Sequence, residues 1–207
     1  MERRKLMALV LACVMLVGLC GCGLFGPDLE PLYGTWTLVE YVSEEAAADM
    51  LESLDFYESE IALADLTGVG LVKEASFSEG TYSLTYNIEE SRARMYNYFD
   101  QLILALYNGR DALVLDYGSE ITSLTEDEFK QGYAELFGLS SYEELLNMYV
   151  DNCMNYSVLE ESADIGILEP GTGKDEMLCN SEVLRFSISG DELTLIYVDG
   201  VEVYTRK

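Results

Sequence analysis

Thiols and carboxylates dominate the reactive side chains of this 207-residue chain, which carries five cysteines, 38 acids and no histidine. The missing histidine removes the commonest general base, the commonest metal ligand and the usual switch near neutral pH. A Ser-His or Cys-His nucleophile pair is therefore impossible, and no Gly-x-Ser-x-Gly elbow occurs. The run EPGTGKDE at 169–176 has glycines and a lysine suited to a phosphate loop. However, Leu168 stands where the first glycine is required, and Asp175 where a magnesium-binding Ser or Thr is required. It reads as a turn. No spacing matches an EF-hand loop. Two carboxylates can serve as acid and base, yet spacing singles out no pair. The expectation is a non-enzyme with no cofactor and no metal site.

Cys20 and Cys22 lie one residue apart, and two thiols are too few for a structural metal. They follow Glu2, Arg3, Arg4 and Lys5 and an apolar run from Leu6 to Leu19 broken only by Gly18. A basic start, a short apolar stretch and a small residue before a cut describe a secretory signal peptide. A spanning helix needs about 20 apolar residues, and this run is shorter. Leu19-Cys20-Gly21-Cys22 resembles the bacterial lipobox. That resemblance implies cleavage between Gly21 and Cys22 and a diacylglyceryl group, of the palmitate type, on Cys22. Two acyl chains suffice for stable attachment, so the expected location is the cell membrane, lipid-anchored on its extracytoplasmic face. Residues 1–21 are then the signal peptide, 22–31 a lipidated tether with Pro27 and Pro31, and 32–207 the folded domain.

The formal net charge is −26, and removal of Glu2, Arg3, Arg4 and Lys5 would leave the chain more negative still. Such a surface repels nucleic acid, which is excluded as a partner, and anionic lipid heads. Because 49% of the residues are hydrophobic and the acids lie among Leu, Val and Tyr, the chain is not a disordered acidic tail. Besides Cys22, the expected acylation site, Cys153 and Cys179 remain after cleavage. A bridge between them would close about 27 residues, worth ~3.5 kcal/mol by chain entropy, and an exported protein permits it. Two buried thiols satisfy the sequence equally.

The surrounding elements follow from periodicity. LYGTWTLVEYV reads as a strand, Ser43 caps a helix carrying Ala47, Met50, Leu51 and Leu54, and ASFSEGTYSLTYN is a hairpin turning at Glu79-Gly80. Helical stripes follow from Met95 to Leu106, from Thr125 with Glu128 as a capping box, and from Ser140 with Glu143. Together they predict a roughly three-helix insertion over 89–154. DALVLDY is expected as a short strand within it, and NYSVLEES and ADIGILE as strands after it.

The C-terminal run EVLRFSISGDELTLIYVDGVEVYTR predicts a meander with two-residue turns at Gly190-Asp191 and Asp199-Gly200. These turns set Phe186 opposite Leu195, Leu184 opposite Tyr197, Leu195 opposite Tyr204 and Leu193 opposite Arg206, all on one face. The other face carries Ile196, Val198, Val201 and Val203, expected to lie under the helices.

Gly34-Thr35-Trp36 resembles the Gly-x-Trp motif of lipocalins, and the mature chain is similar to lipocalin-like lipoproteins of gut Firmicutes. The shared features are the GTW strand, the Phe77-to-Tyr82 hairpin with Gly80-Thr81-Tyr82, and the closing GDELTL meander ending in Tyr204 and Arg206. The resemblance implies an α+β fold built on an antiparallel lipocalin-like meander. It also implies that Trp36 packs under Arg206, where a guanidinium over an indole makes a cation–π contact. With a helical insertion of this size, a partial barrel is expected. Function then divides in two. One expectation is a binding module holding a small apolar ligand against Trp36, Leu38, Leu184, Phe186, Leu195, Tyr197 and Tyr204. The other is an envelope protein–protein interaction factor whose same residues fill a closed core.

Overall fold

The computed structural model describes residues 27–207. Gly21 and Cys22, with the signal peptide and the start of the tether, lie outside the described residues. Eight strands form a closed antiparallel barrel in the order β1 to β8. They are β1 (Gly34–Tyr41), β2 (Gly70–Ser78), β3 (Thr81–Tyr86), β4 (Asp164–Pro170), β5 (Glu176–Cys179), β6 (Glu182–Ser189), β7 (Glu192–Ile196) and β8 (Val201–Arg206). The barrel is consistent with a lipocalin-like fold.

Two expectations fail here. The barrel is closed, not partial, because β8 returns to β1 with Trp36 opposite Arg206 and Thr37 opposite Thr205. The helical content also exceeds a three-helix insertion over 89–154. Among the described residues there are α1 (Glu44–Ser53), α2 (Glu58–Ile61), α3 (Ile88–Asn108), α4 (Val114–Tyr117), α5 (Glu126–Leu136), α6 (Tyr142–Cys153) and α7 (Tyr156–Glu161). Five of the seven have six or more residues. The helices enter only at the β1–β2 and β3–β4 connections. Lengthening a connection adds little closure entropy, so the strand ladder passes either side of them unbroken.

By its contacts the chain divides into two compact units. One takes the segment ending at Thr37, Ala75–Leu84 and Asp164–Lys207; the other takes Leu38–Glu74 and Thr85–Ala163.

In the first unit, burial alternates along the strands. Leu184 and Phe186 on β6, Leu193 and Leu195 on β7 and Tyr204 on β8 are buried, while Val183, Arg185 and Glu192 between them are exposed. The β6–β7 register places Ile188 opposite Leu193 and Phe186 opposite Leu195, around a turn with Gly190 at φ 64°. The β7–β8 register departs from expectation by two residues. Leu193 faces Tyr204 and Leu195 faces Glu202, and the ladder ends at Ile196 opposite Val201. Tyr197 leaves the ladder, with its N–H donating to Gly200 O at 2.9 Å, so the loop has four residues in place of two. An even shift keeps the same side chains inside. Strand β5 and its turn were not expected. Asn180 and Ser181 take φ 50° and 73°, the pair of left-handed residues a tight hairpin turn demands.

The second unit holds a helical core around Phe99 and Tyr149, whose rings stack at 5.1 Å, with Phe56 and Phe137 against the same tyrosine. Ser43 caps α1, and Thr125 with Glu128 makes the capping box of α5. The cap of α6 is Ser141, which accepts from Glu144 N, one residue beyond the expected Ser140. DALVLDY is a 3-10 turn followed by α4, and NYSVLEES is largely α7. Both have apolar positions at helical spacing as well as β-formers, and their length did not discriminate. Glu60 is buried at 1% exposure. Its two oxygens accept from Tyr57 N–H and from the Tyr117 hydroxyl, each at 2.7 Å. Ser91 is fully buried and accepts from Val72 N–H at 2.8 Å.

Candidate functional site

One end of the barrel is closed by Leu29 to Tyr33. The 3-10 turn Glu30–Leu32 starts at a position where Pro31 loses no hydrogen bond. Its Leu32 is fully buried. Trp36 follows on β1 at 0% exposure, and its indole N–H donates to Leu32 O at 2.7 Å. Arg206 at the end of β8 lies with its guanidinium 4.3 Å from the indole centroid and donates to Pro31 O at 2.7 Å. Lys207 N–H donates to Thr35 O at 3.0 Å. This end is sealed.

Above Trp36 the interior is occupied by side chains. Leu184, Phe186, Leu195 and Tyr204, expected to line a cup, are all buried there. Tyr197 is half-buried and sits in the β7–β8 loop. Leu38 on β1 is half-buried and falls in the second compact unit. Sequence reasoning missed Phe77, Tyr82, Leu168 and Met177, which are buried in the same unit. Met177 and Leu168 sit on short strands with weak alternation, and the Asn180-Ser181 turn was the signal that would have placed them.

At the β4–β7 end the interior becomes polar. The Tyr82 hydroxyl donates to Asp164 at 2.6 Å and the Tyr204 hydroxyl to Glu202 at 2.8 Å. Burial, then the Asp164 carboxylate, raises the Tyr82 phenol well above its ordinary pKa. Burial, then Glu202, does the same to Tyr197. A pocket of about 370 Å³ opens here, bounded by Leu84, Asp164, Glu182, Leu184, Ile196 and Tyr197. Cys179 is a free thiol that burial, with Asp164 beside it, pushes up to about 12. Cys153, free as well, is raised to about 12 by burial. Both are thus protonated at neutral pH and poor nucleophiles. Among the described residues, no group of three or more Cys, Asp or Glu is placed to hold a metal ion.

The outer face of the barrel corrects one expectation. Val183, Ile196, Val198, Val201 and Val203 are exposed, as are Ile165 and Ile167 on β4. Registers bring part of the patch together: Ile196 lies opposite Val201, Thr194 opposite Val203, Arg185 opposite Ile196, and Leu178 opposite Val183, while Ile165 and Ile167 pair with Ser83 and Thr81 on β3 and Glu169 faces Leu178. Helices were expected to cover the Ile196-to-Val203 part of it. Instead they are inserted at connections remote in sequence from β6 to β8.

Compared with family models, curated proteins and solved structures, the chain matches no family model, no curated protein and no solved structure.

Proposed function

We propose that this chain is a non-catalytic, extracytoplasmic interaction protein, held to the membrane by acyl chains on Cys22. It acts by docking a protein partner on the outer face of β4 and β6 to β8. The observation that carries this is the placement of apolar side chains. At the sealed end and the middle of the barrel its own residues pack the interior, with Trp36, Met177, Leu193 and Leu195 at 0% exposure, while β-branched residues stand exposed outside. Seven exposed Val and Ile side chains on four strands and the β7–β8 loop of one barrel, Val183, Ile196, Val198, Val201 and Val203 with Ile165 and Ile167, mark a face that a partner would cover.

Charge narrows the occupant. Glu169, Glu192 and Asp199 fringe the face, and Arg185 is already paired with Glu176 at 3.4 Å. A second copy would bring two chains of net charge −26 together, and an anionic bilayer would meet the same repulsion. The fitting partner is a protein whose apolar surface is rimmed by Lys or Arg.

The test is in-cell photocrosslinking of the full chain. A benzophenone amino acid is placed at Ile196 or Val201, and for contrast at the exposed Leu115 and Leu136. The expected result is one protein adduct from Ile196 and Val201, mapped to an apolar, base-flanked peptide and lost in Val203→Glu. Lipid adducts, adducts with a second copy, or no adduct at any position would contradict the proposal.

A further inference from the structure

The second unit contains a cavity that the interaction role does not use. Arg94, Tyr98 and Leu102 recur every fourth residue on α3 and so share one face. With Leu63, Asp65 and Gly68 from the segment between α2 and β2, they border a cavity of about 290 Å³. Two polar groups there stand apart. Tyr98 is 7% exposed, and among the described residues its buried hydroxyl finds no hydrogen-bond partner. The buried Arg94 Nε–H also finds none. Buried polar groups are nearly always paired, and an unpaired donor carries its full desolvation cost until an acceptor reaches it.

Arg94 shares with Arg110 and Arg206 the lack of a carboxylate partner among the described residues, and of the three it alone borders this cavity. Lys73, Lys130 and Arg185 meet carboxylates at 2.7–3.6 Å, and Arg92 pairs with Asp151. Among the described residues Arg94 meets none, and its guanidinium instead lies 4.9 Å from the Tyr41 ring centroid. Asp65 supplies the opposite charge. Its Oδ1 is taken by the Thr67 N–H at 3.0 Å and the Thr67 hydroxyl at 2.6 Å. Its Oδ2 turns toward Gly68, 3.6 Å from where a Cβ on that glycine would stand. The Tyr98 phenol is pushed up to about 12 by burial and then by Asp65, placing that carboxylate within electrostatic reach of the hydroxyl.

We propose that this cavity binds a small aliphatic zwitterion of the α-amino-acid kind, its carboxylate on Arg94 and Tyr98 and its ammonium on Asp65. Leu63 and Leu102 take the aliphatic part. A simple anion would leave Asp65 facing like charge, and a simple amine would leave both unpaired donors unmet. A molecule with both charges meets Arg94, Tyr98 and Asp65 together without adding net charge to an acidic protein, and Asn97 and Gln101 on the same lining suit either end. The volume lies at the small end of ligand pockets, which limits the ligand to about one residue.

The test is isothermal titration of the full chain in detergent with L-leucine, 4-methylpentanoate and 3-methylbutylamine, which keep the carbon skeleton and carry both charges or one. Leucine is expected to bind at least about tenfold more tightly than either half-molecule. Arg94→Gln and Tyr98→Phe should each weaken leucine about tenfold or more. Tyr98→Phe should leave the melting temperature unchanged or raised, since the lost hydroxyl has no internal partner. Gly68→Ala, whose Cβ would stand 3.2 Å from Tyr98 Cδ2, should also weaken leucine while retaining every polar group. No heat with any probe, equal binding of a half-molecule, or leucine binding unaffected by Arg94→Gln and Tyr98→Phe would overturn the proposal. None of these outcomes bears on the barrel face, so failure here is distinct from failure of the docking role.

Discussion

Trp36 and Arg206 close the barrel twice over: they are register partners on β1 and β8, and the guanidinium lies 4.3 Å from the indole centroid. Each also donates to the 3-10 turn below, Trp36 to Leu32 O and Arg206 to Pro31 O. Arg206→Ala removes the cation–π contact and one hydrogen bond at an exposed position, so the expected cost is about 1 kcal/mol. Trp36 is the only tryptophan, and its emission should shift with the loss. An unchanged spectrum and an unchanged urea midpoint would remove this pair from the closure.

Glu60 gives a pH dependence with a definite sign. Burial raises its pKa above 4.5, opposed by the Tyr57 N–H and the Tyr117 hydroxyl and reinforced by Asp116. A carboxyl raised in the folded state contributes stability that is fully present below its unfolded pKa. That contribution is lost as pH climbs through the folded value. Measured against Glu60→Gln by urea unfolding, the wild-type chain should lose relative stability from about pH 4.5 upward. A difference that is flat, or that grows with pH, would show that the hydrogen bonds outweigh burial.

Cys153 and Cys179 are free and raised to about 12. An aromatic disulfide reagent at pH 7.5 should therefore label neither quickly in the folded protein, and both after denaturation. Rapid labelling under native conditions would mean that these thiols are accessible thiolates.

Cys22 carries the anchor proposal. Cys22→Ala should abolish acylation and processing in the native host and release the protein from the detergent phase. A processed, detergent-partitioning Cys22→Ala protein would place the anchor elsewhere.

The strands were legible wherever turns were marked by glycine. Gly80 and Gly190, both at positive φ, fixed the β2–β3 and β6–β7 hairpins from sequence. Gly200 has no such φ, and the turn attributed to it proved two residues longer because Tyr197 turns in beside Glu202. Helices with strong caps, Ser43 and Thr125, were legible too. DALVLDY and NYSVLEES were not, since four to six residues rich in β-formers suit either state until packing decides. Closure of the barrel was hidden for a different reason. It depends on pairing the first and last strands, Trp36 with Arg206 and Thr37 with Thr205, across most of the chain, which no local pattern encodes. The Arg94 cavity was hidden likewise: Arg94 and Tyr98 share a face readable from their spacing, but Asp65 and Gly68 reach it only through the fold.

The central proposal is that the barrel, packed inside by Trp36, Met177, Leu193 and Leu195, serves as a scaffold and not as a cup. Native mass spectrometry of residues 23–207, after incubation with a lipid extract of the host, tests it most directly. The account predicts the bare protein mass with every extract, because Trp36, Met177, Leu193 and Leu195 are fully buried and the pocket of about 370 Å³ at the open end is bordered by Asp164 and Glu182, which disfavour an apolar cargo. A discrete added mass, lost on gentle activation and carried by a lipophile, would show that the interior opens to hold cargo and would contradict it.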